Sequence, residues 1–237
     1  MLTLYQFEIS PFCDKVRRIL NVKRVPYQAR EVGLIEWQMG AYRKINPTNK
    51  VPALVDGGRI VCDSTDIAYD LERRYPDPPL IPREPRDRAL VHVLEDWADE
   101  SLYFFEMRLR FGIARNAAQT VAKLVARENA VIQALAPWLV PRAIRSQADA
   151  QGIGRKSDAQ VVTEFGRHLD ALAGLLGGRE YLLGGGLTLA DIAVFSQLAA
   201  ARDTREAAGE IALRREVEAW LERVDAATRA AAAPSAS

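Results

Sequence analysis

Cysteine and histidine are scarce. Cys13, Cys62, His92 and His168 are all that the 237 residues contain of either type. Two thiols make no disulfide framework and here no CxxC pair. The histidines stand too far apart in sequence for zinc-ligand spacing, so no metal is expected. An excess of one charge is also missing, because 32 Lys and Arg face 31 Asp and Glu. A nucleic-acid platform carries a basic excess or stripe, so no nucleic-acid partner is expected. No apolar run approaches the ~18 residues of a membrane span, and no membrane partner is expected. The opening Met1-Leu2-Thr3-Leu4-Tyr5 has no basic region leading into a long apolar stretch, so it is not read as a signal peptide. These absences together point to a reduced, cytoplasmic setting.

What is present is an ordinary globular composition, 49% hydrophobic and 27% charged, with a length that suits one or two domains. Folding a chain of this size buries roughly 72% of its extended surface, so a sizeable core needs no staples. Up to about Tyr75 the elements are short and alternate in type. Leu2 to Phe7 reads as a strand buried on both faces. Ser10-Pro11 reads as a helix start, with Ser as the cap and Pro in the first turn, and Val16, Ile19 and Leu20 carry the stripe onward. Tyr27 to Val32 is a second strand and Trp37 to Lys44 a short helix stopped by Asn46-Pro47. Ala53-Leu54-Val55, Asp56-Gly57-Gly58 and Ile60-Val61-Cys62 form a hairpin. Asp63-Ser64 caps a helix running to about Tyr75. The order is β-α-β-α-β-β-α, an α/β unit with a mixed sheet.

Pro76, Pro78, Pro79, Pro82 and Pro85 then break regular structure, which places a linker at 78–86. Beyond Arg86 everything reads as helix. Leu90, Val93, Leu94, Trp97, Phe104 and Phe105 form one stripe, and Val121, Leu124, Val125, Ile132, Leu135 and Leu139 a second. Val161, Phe165, Leu169, Leu172 and Leu176 form a third, closed by Gly177-Gly178. A short helix starts at Thr188, and a last one carries Leu213, Val217, Trp220, Leu221 and Val224. From 226 to 237 the Ala-rich tail has nothing large to bury and is expected to be disordered. No internal repeat is visible.

Four motifs, in order, carry a resemblance: Ser10-Pro11-Phe12-Cys13; Asn46-Pro47-Thr48-Asn49-Lys50-Val51-Pro52-Ala53-Leu54; Asp63-Ser64; and Leu187-Thr188-Leu189-Ala190-Asp191-Ile192-Ala193. Over roughly residues 1–225 the chain resembles the glutathione transferase superfamily. The resemblance implies an α/β plus all-α fold, with a thioredoxin-like glutathione-binding domain at 1–77 and an all-helical domain at 87–225. It implies glutathione as co-substrate, no metal, and a homodimer. Ser10 would be the catalytic residue, at the position where the family puts its active-site residue. Phe12, Lys50, Val51, Pro52, Asp63 and Ser64 would hold glutathione, with Pro52 as the expected cis-proline. The activity implied is thiolate attack on a small, apolar electrophile lying against Tyr103, Phe104 and Met107.

The residue types suit this chemistry. Glutathione carries two carboxylates, one ammonium group and a thiol. The helix start at Ser64 points unpaired N–H groups at an anion, so it can take the γ-glutamyl carboxylate. Lys50 can face the glycyl carboxylate, and the Val51 backbone can pair with the cysteinyl backbone as an added strand would. A free thiol has a pKa of about 8.5, so thiolate at pH 7 needs roughly 2.7 kcal/mol. A helix N-terminus gives about 0.3–1 kcal/mol, and a hydrogen bond to a charged acceptor about 1.5–3 kcal/mol. Ser10 at a helix head can combine both. Each motif also has a plainer reading: a cap at Ser10, a cap at Asp63-Ser64, and an ordinary trans X-Pro bond at Pro52.

Cys13 opens a rival reading. Redox members of the superfamily carry a Cys where Ser10 stands, and Cys13 would then be only the second, resolving thiol of a CxxC. Its spacing to Val16 and Leu20 puts it on the inward helix face, as a small buried thiol. A thiol-disulfide oxidoreductase using Cys13 and a binding or regulatory protein without turnover both stay open. Tyr5 reads as sheet packing, Cys62 as core, and His168 as a satisfied histidine. Thr188 and Asp191 read as a helix cap, and Gly184-Gly185-Gly186 lacks the Gly-Lys-Ser/Thr of a phosphate loop. Arg108, Arg110 and Arg115 read as a solvated face, from which one arginine could reach a substrate anion.

Overall fold

A computed structural model describes residues 1–229 of the chain. Its first part is built from β1 (Leu2–Gln6), α1 (Pro11–Val22), β2 (Tyr27–Glu31), α2 (Leu34–Gln38), β3 (Ala53–Asp56), β4 (Arg59–Cys62) and α3 (Ser64–Arg74). The sheet order is β2-β1-β3-β4, with β1 parallel to β2 and antiparallel to β3, and β3 antiparallel to β4. This is the mixed sheet expected. Strand β1 is less symmetric than expected, because Leu2, Leu4 and Gln6 are buried while Thr3 and Tyr5 are half-buried. Tyr5 packs beside Tyr42, ring centroids 6.1 Å apart, in a small satellite core with Val32 and Ala53. The helix expected over 37–44 is split, since Gly40 takes φ 74° between α2 and a 3-10 turn at Ala41–Lys44. Glycine adopts that left-handed conformation without the Cβ penalty.

Helix α1 is amphipathic in the expected sense. Ser10 caps it in an extended conformation, Pro11 occupies the first turn, and Cys13, Val16, Ile19 and Leu20 are fully buried. Burying each larger aliphatic side chain here contributes about 1.5–3 kcal/mol. Register fixes what happens at one sheet edge. Tyr5 lies opposite Ala53, and Ala53 opposite Cys62. The segments that follow β1, precede β3 and follow β4 therefore meet at the same edge, where α1 and α3 both begin.

The helical part starts with α4 (Pro85–Trp97), which begins inside the expected 78–86 linker. Glu84 caps it by accepting from Asp87 N at 2.8 Å, and Pro85 sits at the position where its missing N–H costs nothing. The run continues through a π-type turn at Ala98–Leu102, α5 (Tyr103–Met107) and a second π-type turn at Arg108–Gly112. Then come α6 (Ala114–Leu124), α7 (Ala130–Gln151), α8 (Asp158–Leu176), α9 (Leu189–Arg202), α10 (Arg205–Ala212) and α11 (Arg215–Thr228). The stripe read across 121–139 is in fact two helices, with Asn129 capping the second and Leu135 and Leu139 exposed. The α8 stripe is buried along its length and closes on Gly177 in the left-handed region. The helix after Thr188 is fourteen residues long, not short, and almost entirely buried. Helix α11 runs past the expected boundary at 225, because Thr228 is fully buried and accepts from Arg18 Nη1 at 2.6 Å. The rest of the expected tail, 230–237, lies outside the described residues. Among the described residues no helix is long and apolar enough to cross a membrane, and no cluster of His, Cys, Asp or Glu is placed to hold a metal.

Candidate functional site

The connection from β1 to α1 is held at every peptide. Ser10 N donates to Phe7 O at 3.0 Å. Glu8 N donates to the Glu31 carboxylate at 3.0 Å, Arg17 donates to Glu8 O at 3.1 Å, and Arg110 donates to Ile9 O at 3.1 Å. Ser10 is half-buried, and its hydroxyl oxygen accepts from Cys13 N at 3.4 Å. A hydroxyl has one donor and two acceptor positions. The cap uses an acceptor position, and the hydroxyl's donor position faces the helix head, where the Cys13 thiol is one neighbour.

Beside it, the Val51-Pro52 peptide bond is cis. The loop before it is organised by Asn46, which is buried, donates to Lys50 O at 2.7 Å and accepts from Thr48 N at 3.0 Å. Trp37 Nε1 donates to Asn49 O at 2.6 Å. Lys50 is exposed and makes no ion pair among the described residues. Across the edge, Asp63 takes φ 76°, unusual for a residue with a side chain, and its carboxylate accepts from Thr65 N at 2.8 Å. A conformation of that kind costs on the order of 1–3 kcal/mol and is tolerated where surroundings fix it. Ser64 is only 3% exposed and donates to Asp99 Oδ2 at 3.4 Å.

Under these two helix starts lies a network that sequence reading missed. Lys15 Nζ meets Glu95 and Asp99 at 2.5 Å each, with the lysine side chain 1% exposed. Thr65 Oγ1 donates to Glu95 at 2.6 Å. Burial first, and the neighbouring Glu95 charge, push the Asp99 carboxyl up to about 6 against the pull of Lys15. The network ties α1 and α3 to α4. Its only trace in the sequence is a lysine on the apolar face of α1, next to Val16.

Cys13 is fully buried, and burial pushes its thiol up to about 11, with the Ser10 hydroxyl pulling the other way. Cys62 is half-buried and its thiol lies 3.7 Å from Ile45 O. Phe12 packs on Tyr103 with centroids 4.8 Å apart, and Tyr103 on Phe104 at 5.4 Å, so these three gather at the head of α1. Met107 does not join them. It is 2% exposed and lines a separate cavity of about 90 Å³ with Arg108 and Ile144. Ser10 itself opens onto a cleft of about 260 Å³ whose walls include Asp14, Arg17, Arg110, Ser196 and Asp203. That cleft is lined mainly by charged and polar side chains, and neither Tyr103, Phe104 and Met107 nor Lys50, Val51 and Ser64 line it. The arginines also need correction: Arg108 and Arg110 are buried, and of the three only Arg115 is exposed. His168 packs edge-on against Phe105 and beside Trp97, and burial lowers its pKa.

The family model for the glutathione S-transferase N-terminal domain matches residues 4–79, and that for the C-terminal domain residues 128–223. The chain belongs to the glutathione S-transferase superfamily. It is 38% identical over 91 residues to glutathione S-transferase Z1 of Arabidopsis thaliana, a match covering 38% of this chain and 41% of that one. It is 36% identical over 95 residues to maleylpyruvate isomerase of Ralstonia sp, covering 39% and 45%. The matched stretch is thus well under two thirds of these curated relatives. Among solved structures, a beta-etherase from Sphingobium sp. strain SYK-6 superposes with TM-score 0.68 at 25% identity, covering 95% of each chain.

Proposed function

We propose that this chain is a glutathione-dependent enzyme in which Ser10 stabilises the glutathione thiolate for attack on a small electrophile. The observation that carries the reading is the state of the Ser10 hydroxyl. It sits half-buried at the N-terminus of α1, accepts its capping bond there, and lines the 260 Å³ cleft. Phe12, Lys50, Val51, Pro52, Asp63 and Ser64 are proposed to hold glutathione, a set supported by the β1-β3-β4 register that gathers their segments. Tyr103 and Phe104, stacked with Phe12, are proposed as an apolar wall for the second substrate. We also propose a cytoplasmic homodimer, and Leu90 and Val93, exposed on α4, support such an association.

A second reading of the same thiolate is glutathione-dependent isomerisation of a polar substrate. Its support is the charged wall of the cleft and the relatives named as maleylpyruvate and maleylacetoacetate isomerases. Oxidoreductase chemistry at Cys13 has less support, since a fully buried thiol held high in pKa is a poor nucleophile. The test begins with binding. Glutathione at a hundredfold excess over its dissociation constant should stabilise the fold by about 2.7 kcal/mol. No thermal shift at millimolar glutathione would remove the site assignment. Conjugation, isomerisation and disulfide-reduction assays then separate the readings, with Cys13→Ser expected to keep turnover within about twofold of the parent. Loss of all activity in that variant, with Ser10→Ala active, would favour the oxidoreductase. Glutathione binding with no turnover in any assay would favour a binding protein.

A further inference from the structure

Arg110 belongs to the helical part of the chain, yet it touches the residue immediately before Ser10. Its Nη1 donates to Ile9 O at 3.1 Å across a separation of 101 residues. The same guanidinium is paired with Glu106, one turn earlier, and both side chains are buried, 4% and 2% exposed. The backbone carrying Arg110 is itself fixed: Thr120 Oγ1 donates to Arg110 O at 3.3 Å, and Asn116 Nδ2 to Leu109 O at 2.9 Å.

Stability is a weak explanation for this arrangement. Burying an ion pair costs several kcal/mol per ion, and apolar side chains of similar volume often serve the fold as well or better. Arg110 Nε is in addition buried without a partner, which costs about 1–3 kcal/mol. Geometry explains it better. A peptide unit is planar, and the unit joining Ile9 to Ser10 is held at both ends. Arg110 fixes its carbonyl, and Phe7 O fixes its N–H at 3.0 Å. Holding that plane holds the Ser10 Cα and so the place from which its hydroxyl reaches.

We propose that Arg110, oriented by Glu106, is a positioning residue that sets the Ser10 hydroxyl against the thiol of bound glutathione. The inference rests on the reading of Ser10 given above. Because Glu106 neutralises it, Arg110 acts through placement and not through its field at the thiol. A displacement of about 1 Å in such a group costs as much as a hundredfold in rate.

The test compares Ser10→Ala with the double variant Glu106→Leu/Arg110→Met, which leaves no unpaired buried charge. Three readouts are followed: the pKa of bound glutathione from thiolate absorbance, the split between kcat and KM, and the melting temperature. The double variant should melt within a few degrees of the parent or above it, and bind glutathione within about threefold. Its bound thiol should have a pKa about one unit higher, with kcat near pH 6.5 lowered about tenfold and KM for glutathione little changed. Unchanged thiol pKa and kcat in the double variant, with both shifted in Ser10→Ala, overturn the role of Arg110 and leave Ser10 standing. No shift in Ser10→Ala overturns the Ser10 reading and the inference with it. Should the double variant fail to fold, Arg110→Lys decides. A lysine ammonium has three donors and Arg110 makes both contacts through Nη1, so Arg110→Lys should keep the parental thiol pKa and kcat. A thiol pKa raised as in Ser10→Ala, in a folded Arg110→Lys that keeps its ion pair with Glu106, overturns the proposal.

Discussion

Helices α1, α3 and α9 all open on a small oxygen-bearing side chain, and the three starts differ in how completely their donors are satisfied. At α9 the Asp191 carboxylate accepts from Thr188 N, Thr188 Oγ1, Leu182 N and Trp220 Nε1 at 2.7–3.0 Å, with no exposure to solvent. At α1 a half-exposed Ser10 makes one long capping bond of 3.4 Å. At α3 a solvent-exposed Asp63 caps from a left-handed backbone, and Ser64 leans on Asp99 at 3.4 Å. A closed, saturated helix start is a structural joint. An open one, with donor capacity left, is where a ligand anion can sit. The same cap signature in sequence therefore serves different ends, and substitution should separate them.

The largest effect is expected at the closed start. Asp191→Ala strips four donors of their acceptor in a dry site, and each buried donor left unsatisfied costs about 1–3 kcal/mol. These losses overlap, so a destabilisation of about 3–5 kcal/mol is expected, seen as a melting temperature lower by roughly 10 °C or more. Turnover per folded molecule should be retained at low temperature. If this variant lost activity while melting like the parent, the division between joints and sites would be wrong.

The open starts should respond the other way, with activity or binding changed and stability lowered only by about 1–2 kcal/mol, the cost of a lost cap at Ser10 or of the lost bond to Asp99 at Ser64. Ser10→Ala should cut turnover roughly ten- to hundredfold, equivalent to about 1.4–2.7 kcal/mol of lost thiolate stabilisation, with little change in glutathione affinity. Ser64→Ala should do the reverse, weakening affinity about tenfold while kcat at saturating glutathione stays near the parent's. Calorimetric titration together with steady-state kinetics on both variants distinguishes the two patterns. Equal losses of kcat and affinity in the two would mean that the serines share one role.

The caps were legible in the sequence because they are local. Ser10-Pro11, Asp63-Ser64 and Thr188 to Asp191 each combine a cap residue with the first turn of its helix. The hairpin around Gly57-Gly58 and the buried face of α8 were legible for the same reason. What could not be read is what joins distant segments. Lys15 finds Glu95 eighty residues on, and Arg110 finds Ile9 over a greater separation still, with no local pattern to announce either. The π-type turns have no residue signature, yet Arg108 and Arg110 lie in one of them and are buried. Periodicity also says that a helix exists without saying which of its residues are covered, and Leu135 and Leu139, on the second stripe, are exposed.

The network beneath the two open starts gives a test with a definite sign in pH. Asp99 is held at about 6 in the folded chain, chiefly by burial, against about 3.9 when unfolded. The folded state therefore binds the extra proton between those values. The associated stability is fully present below about pH 4 and is lost as pH rises through about 6. Asp99→Asn cannot titrate, so the difference in unfolding free energy between parent and variant should change by on the order of 2 kcal/mol from pH 4 to 7, the parent weakening. Denaturant unfolding of both proteins across that range measures it. A flat difference would mean that Lys15 holds Asp99 ionised throughout.

The smallest effect is expected at Lys50, whose side chain is exposed and makes no ion pair among the described residues. Its proposed partner is the glycyl carboxylate of glutathione, and an exposed pair of that kind is weak and screened by salt. Lys50→Ala should therefore weaken glutathione binding about two- to fivefold at low ionic strength. At 1 M salt the Debye length falls to about 3 Å, and parent and variant should bind nearly alike. Thermal shift or calorimetry with glutathione at both ionic strengths gives the comparison, with kcat at saturation as the control. A weakening that persists undiminished at high salt would show that Lys50 shapes the loop before Val51 and Pro52, not that it attracts an anion. Lys50→Gln, which keeps most of the length without the charge, tells these apart: it should match Lys50→Ala if charge is what matters, and the parent if shape is.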